Sequence, residues 1–254
     1  MIEGDSYVWG SPHSSPKAYF DRYGILALPL PWSVQVNENK QLPLLVIFYA
    51  KYLDSQDTAS FISNVSRYYT VGTLQRLVMS ESRETRRSAT LALGFLGDYE
   101  SNRVFSRLLH DEDRTVRMLA ENGIRSVWTR VGNDHARQAL RTVMRLIIAK
   151  QYEEAVAKAT EILEHTPRFA EVWNQRAIAH FALKQYTFSI EDGMKALEIN
   201  PCHFAAAIGV GQSHLYLGHL SETVEYFQLA LQLNPNLENI RNHLRNLVQN
   251  LKED

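Results

Sequence analysis

The sequence predicts an all-α protein, a right-handed helical-repeat solenoid that follows an extended N-terminal arm. Three observations carry this expectation. Pro167, Pro201 and Pro235 stand 34 residues apart, and each closes a similar phrase ending in His-Thr-Pro or Asn-Pro. A second period, of 31 residues, aligns Leu74 with Phe105, Leu77 with Leu108, Arg86 with Arg117, Ala89 with Ala120 and Leu93 with Ile124. Within the 34-residue units, small and apolar residues recur at the i, i+4, i+7, i+8 spacing of one helix face.

The chain has 254 residues, 45% of them hydrophobic and 22% charged, a globular composition that argues against wholesale disorder. A net charge of −1 gives no global field toward nucleic acid or an acidic membrane. The single cysteine, Cys202, excludes an intrachain disulfide framework and any multi-cysteine metal site. The opening Met1-Ile2-Glu3-Gly4-Asp5 lacks the basic and apolar regions of a signal peptide. The longest apolar run, Leu44 to Ala50, is far short of the ~20 residues that span a bilayer. A cytoplasmic protein without a membrane segment is expected.

The arm, residues 1–41, comes first. Ser11 to Pro16 reads as a mobile stretch, whereas Leu26 to Val36 is apolar and broken by Pro29 and Pro31, hence extended. Two readings of the apolar stretch stay open: a cover over the end of the next region, or a partner segment bound in cis. Residues 42–133 follow the 31-residue period and read as three helical hairpins, at about 42–69, 71–101 and 102–132. The first is a degraded copy recognisable by Val46, Thr58, Ile62 and Val65. Gly132-Asn133-Asp134 is a turn signal that starts the next region.

Residues 134–254 follow the 34-residue period. The helix-face rows are Ala155/Ala159/Ile162/Leu163, Ser189/Gly193/Ala196/Leu197 and Thr223/Phe227/Ala230/Leu231. Small residues there admit a neighbouring helix, and the proline that follows prevents helix continuation. An earlier helix in each unit carries Trp173 and Ala177, then Ala207 and Gly211. Residues 238–251 read as one amphipathic helix that caps the stack, as terminal repeats require.

This pattern resembles the tetratricopeptide repeat, a 34-residue helix–turn–helix unit. Trp173, Ala177, Tyr186, Ala196 and Pro201 carry the likeness in the copy at about 170–203. Tyr152, Ala155 and Pro167 carry it in the preceding copy, and Gly211, Phe227, Ala230 and Pro235 in the following one. The resemblance implies that Trp173 is buried between helices. In the 31-residue region, Arg86-Arg87-Ser88-Ala89-Thr90-Leu91-Ala92-Leu93 and Asp111-Glu112-Asp113-Arg114-Thr115-Val116-Arg117-Met118-Leu119-Ala120 are similar to short HEAT repeats. That resemblance implies an Asp–Arg ladder between neighbouring units involving Asp111 and Arg117, interrupted where Ser80 replaces the aspartate.

The tetratricopeptide resemblance implies a concave groove lined by the first helix of each unit. Its second, fifth, sixth and ninth positions fall on Arg137, Leu140, Arg141 and Met144, then Glu171, Asn174, Gln175 and Ile178, then Ala205, Ile208, Gly209 and Gln212. The cap adds Asn239, Asn242, His243 and Asn246. Amides donate and accept at once, so such a row can pair with a peptide backbone whatever its side chains. The lysines and arginine that let some of these repeats grip an acidic C-terminus are replaced by Leu140, Glu171 and Ala205, so that two-carboxylate clamp is not expected.

Other chemistry has little support. His-Glu-x-x-His and Gly-rich phosphate loops are absent. His180 and His214 share one repeat position and read as packed histidines, and Cys202 beside His203 is not a dyad by adjacency alone. No enzyme, cofactor or metal is expected. From Arg67 to Arg145 there are fourteen arginines, nine acids and no lysine. Arg76, Arg83, Arg103, Arg107 and Arg114 lie outside the repeat-core positions and are the candidates for a polyanion face. No aromatic platform interleaves with them, so nucleic acid is not the expected partner. The leading expectation is a protein- or peptide-binding scaffold, with the polyanion module as the alternative.

Overall fold

The computed structural model describes residues 43–253 and, within the arm, a two-residue antiparallel ladder of β1 (Tyr19–Phe20) and β2 (Leu26–Ala27). The rest of the arm, including Ser11 to Pro16 and Pro29 to Val36, lies outside the described residues. The described remainder is helical, and it divides into two compact units with the break between Val127 and Trp128.

In the first unit the helices are α1 (Leu44–Ser55), α2 (Thr58–Tyr68), α3 (Val71–Leu77), α4 (Arg83–Leu96), α5 (Asn102–Leu108) and α6 (Arg114–Trp128), with a 3-10 turn at Tyr99–Ser101 before α5. Side-chain oxygens set three of the starts. Asp57 accepts from the Ser60 N–H at 3.0 Å, Thr70 from Thr73 at 3.2 Å, and Ser82 from Thr85 at 3.3 Å. Leu45, Val65, Leu74, Leu93, Phe105, Leu109 and Ile124 are fully buried. Gly94 and Gly123 let α4 and α6 approach closely: a Cβ at Gly94 would stand 3.5 Å from the Gly123 Cα, and one at Gly123 would collide with the Phe105 ring.

The arginine pairs of this unit are structural. Arg86 donates from Nε and Nη2 to the Asp111 carboxylate, at 2.9 and 3.1 Å, and from Nη1 to the carbonyls of Ser80 and Glu81. Where Ser80 lacks a carboxylate, its backbone oxygen takes the guanidinium instead. Arg117 donates to the carbonyls of Asp111 and Glu112, closing its own hairpin turn. Arg87 forks onto Asp113, which holds that carboxyl below the usual carboxylate range, and burial pushes the nearby Tyr49 phenol up to about 12.

In the second unit the helices are α7 (Asp134–Ile148), α8 (Tyr152–His165), α9 (Ala170–Ala182), α10 (Tyr186–Ile199), α11 (Phe204–Tyr216), α12 (Leu220–Leu233) and α13 (Glu238–Glu253). Each helix packs on the next, and first helices also meet across one repeat, α7 with α9 and α9 with α11. The predicted row residues Ala155, Ala159, Ser189, Gly193, Ala196, Thr223, Phe227 and Ala230 are all buried. A Cβ at Gly193 would stand 2.5 Å from a Val210 methyl, so only glycine admits α11 this closely to α10.

The turn inside each hairpin is the same structure three times. Lys150, Lys184 and Gly218 have φ of 60°, 61° and 77° at 34-residue intervals. The residue after each donates its N–H five residues back, Gln151 to Leu146, Gln185 to His180 and His219 to His214, all at 2.9 Å. This is a Schellman closure, in which a left-handed residue lets the chain reverse and satisfies a terminal carbonyl. Glycine takes that conformation freely and lysine does so only with strain. Lys184→Gly is therefore expected to raise stability by about 1 kcal/mol, read as a higher denaturant midpoint at unchanged slope.

Candidate functional site

The first-helix face of the second unit contains the predicted groove positions, and they are not equivalent. Leu140 is fully buried and Ile178 nearly so; Leu140 packs with Ala136, Val143, Ala159, Phe169 and Val172. These side chains are core, placed there because α7 and α9 meet directly. Met144 is half-buried at the edge of that core, and Arg137 is half-exposed, with an ion pair to Asp134. Arg141 is exposed, and with Gln138, Met144 and Arg145 it lines a shallow open depression beside α7.

The middle of the row is a buried polar cluster. Glu171, Asn174 and Gln175 retain 6%, 3% and 9% exposure. Glu171 Oε1 accepts from Gln175 Nε2 at 2.6 Å and from Asn174 Nδ2 at 3.4 Å. Its other oxygen, Oε2, lies 2.9 Å from His203 Nε2. His203 caps α11, its Nδ1 accepting the Ala206 N–H at 3.1 Å, so Nε2 carries the proton that Glu171 receives. The His203 ring is fully buried and stacks on Trp128 with centroids 3.9 Å apart.

His203 is the residue that sequence reasoning missed. The signal was its repeat register: it occupies the place of Phe169, 34 residues earlier, so a titratable ring sits where the previous unit has a phenyl.

Two acceptors in this face have no donor among the described residues. Asn174 Oδ1 on α9 and Gln212 Oε1 on α11 are both buried and unpartnered. At the far end, Asn242, His243 and Asn246 are exposed on α13. The structure thus brings Asn174 and Gln175 into one bonded cluster around Glu171, leaves Gln212 holding a free acceptor, and leaves the α13 amides open.

The polyanion candidates are scattered over short elements of the first unit. Arg76, Arg83, Arg103, Arg107 and Arg114 are all exposed; Arg76 donates to Thr73 Oγ1 and Arg83 pairs with Glu84 at 2.8 Å. The inner arginines, Arg86 and Arg87, are consumed by Asp111, Glu112 and Asp113. Nothing gathers the five into a cradle. Titration with heparin, DNA or RNA at ~50 mM salt is expected to show no binding, and a Kd that rises steeply with added salt would contradict this.

Among the described residues no three His, Cys, Asp or Glu side chains cluster closely enough to hold a metal ion together, and no helix is long and apolar enough to cross a membrane.

No protein-family model matches the chain. A TPR repeat-containing protein of Rhizobium etli is 26% identical over 134 residues, covering 53% of this chain and 66% of the relative. Small glutamine-rich tetratricopeptide repeat-containing protein 2 of Saccharomyces cerevisiae is 31% identical over 84 residues, covering 33% of this chain and 24% of the relative. The matched region thus spans less than two thirds of either relative. Among solved structures, the first TPR of Spaghetti (RPAP3), bound to the HSP90 peptide SRMEEVD, is 24% identical with a TM-score of 0.46, covering 48% of this chain and 97% of that one. The 34-residue period, the thrice-repeated turn and the names of these relatives together mark the hairpins of the second unit as tetratricopeptide repeats.

Proposed function

We propose that the second unit is a non-enzymatic scaffold that binds an extended peptide or protein segment along its first-helix face. The observation that carries this reading is the pair of buried acceptors without donors, Asn174 Oδ1 and Gln212 Oε1. An unsatisfied buried acceptor costs roughly 1–3 kcal/mol. A ligand backbone N–H, reached by a rotamer change, offsets that cost. Gln212 and Asn174 sit at groove positions on successive first helices, and the exposed Asn242 and Asn246 continue the amide series on α13.

The acidic type of peptide bound by the structural neighbour is not the ligand expected here. Glu171 stands at a clamp position with its charge already committed to His203 and Gln175, and a ligand carboxylate beside it would be repelled. A neutral or basic segment fits better.

We also read α1 to α6, within residues 42–133, as three HEAT-like hairpins. The bridge from Arg86 to Asp111, across 25 residues, is the interaction that supports it. A cytoplasmic location accords with this reading.

The test is a pull-down with the intact chain beside Gln212→Ala/Asn246→Ala. A partner retained by the wild type and lost by the variant supports the groove, and a partner held equally by both would move the site elsewhere.

A further inference from the structure

The turn that closes each hairpin places the side chains of residues i and i+5 together, because the i+5 N–H is bonded to the carbonyl of residue i at 2.9 Å. The three units fill that pair differently. In the first it is Leu146 with Gln151, and in the second His180 with Gln185, whose Nδ1 and Oε1 are 2.7 Å apart. In the third it is His214 with His219, and the two Nδ1 atoms are 3.2 Å apart.

We propose that His214 and His219 form a bidentate site for a divalent transition-metal ion such as Cu(II) or Zn(II). Two imidazole nitrogens each ~2.0–2.1 Å from one ion, at angles between tetrahedral and square, lie about 2.9–3.4 Å apart. The observed separation falls in that interval. Imidazole pairs suit zinc, copper and nickel, with copper bound most tightly in that series. The hairpin turn fixes both backbones, so little ordering is needed on binding: His214 ends α11, and His219 precedes α12 across Gly218 at φ 77°. The His214 ring is steadied by Tyr226, stacked at 5.7 Å and 15°.

Without metal, one Nδ1–H donates to the other Nδ1. Chelation needs both lone pairs, so the donor ring moves its proton to Nε2 and no net proton is released from a neutral pair. Burial lowers the His214 pKa below the ordinary imidazole value; Glu222 opposes that, His219 adds to it, and Glu225 opposes it. His214 is therefore neutral and ready to ligate at pH 7. Glu222 and Glu225 on α12 supply negative potential toward the ion, but neither completes a three-residue cluster with the imidazoles. Water fills the remaining positions, and the site is open.

The test uses the intact chain and Cu2+, with glycine as a competing chelator to suppress stray histidines. The expected result is one equivalent bound, with an electron paramagnetic resonance spectrum showing two imidazole nitrogens and an affinity that falls as pH drops through the imidazole range. His219→Gln should lower affinity roughly 10–100-fold, comparable to losses seen when a metal site is perturbed. Gln185→His, which puts an imidazole opposite His180, should add a second equivalent with the same signature, a gain that misfolding cannot produce. Unchanged affinity in His219→Gln, or no second equivalent in Gln185→His, would overturn the proposal.

Discussion

Phe169→Ala is expected to lower the stability of the second unit by ~3–5 kcal/mol, the cost of truncating an aromatic side chain in a packed core. Phe169 is fully buried in the turn that leads into α9, against Leu140, Val143, Ile162, Leu163 and Val172. It joins α7, α8 and α9 in one cluster, so its loss unpacks two hairpins at once. Trp173→Ala should cost less. That ring is only half-buried, its indole N–H donating to the Pro167 carbonyl at 2.8 Å and the Arg176 guanidinium lying over it at 4.7 Å. Chemical denaturation of both variants checks the order, and a larger loss for Trp173→Ala would contradict it.

His203→Ala is expected to cost a similar ~3–5 kcal/mol, because it strands a buried carboxylate. Three contacts vanish together: the bond to Glu171 Oε2, the cap on the Ala206 N–H and the stack on Trp128. The double replacement Glu171→Leu/His203→Phe should recover much of the loss, since removing both partners of a buried pair leaves no orphan. A single-variant midpoint equal to wild type, or a double variant no better than His203→Ala, would show that the pair carries no such penalty. Tryptophan emission should report the change at Trp128 in either case.

The two periods made most of the helices legible. The 34-residue phrase located every hairpin of the second unit, because its small residues and prolines act locally: Gly193 and Ala196 admit a helix, and Pro201 stops one. Trp173 was harder. The resemblance implies burial between helices, but the indole must reach the Pro167 carbonyl, and that holds one edge of the ring at the surface. The groove was the least legible part. Leu140 and Ile178 stand at groove positions yet belong to the core, because apolar side chains there gain more from α7–α9 packing than from waiting for a ligand. The tie of Glu171 to His203 spans 32 residues, and no local spacing announces it.

The central claim is that an extended segment binds the first-helix face of the second unit. The measurement that tests it most directly is calorimetric titration of an array-selected peptide into wild type, Asn174→Ala, Asn242→Ala and the double variant. Each amide should contribute ~0.5–1.5 kcal/mol, since water satisfies the free peptide before binding. The predicted result is a modest weakening in each single variant and a larger one in the double. A peptide that binds the double variant with wild-type affinity would contradict the account and exclude this face as the site.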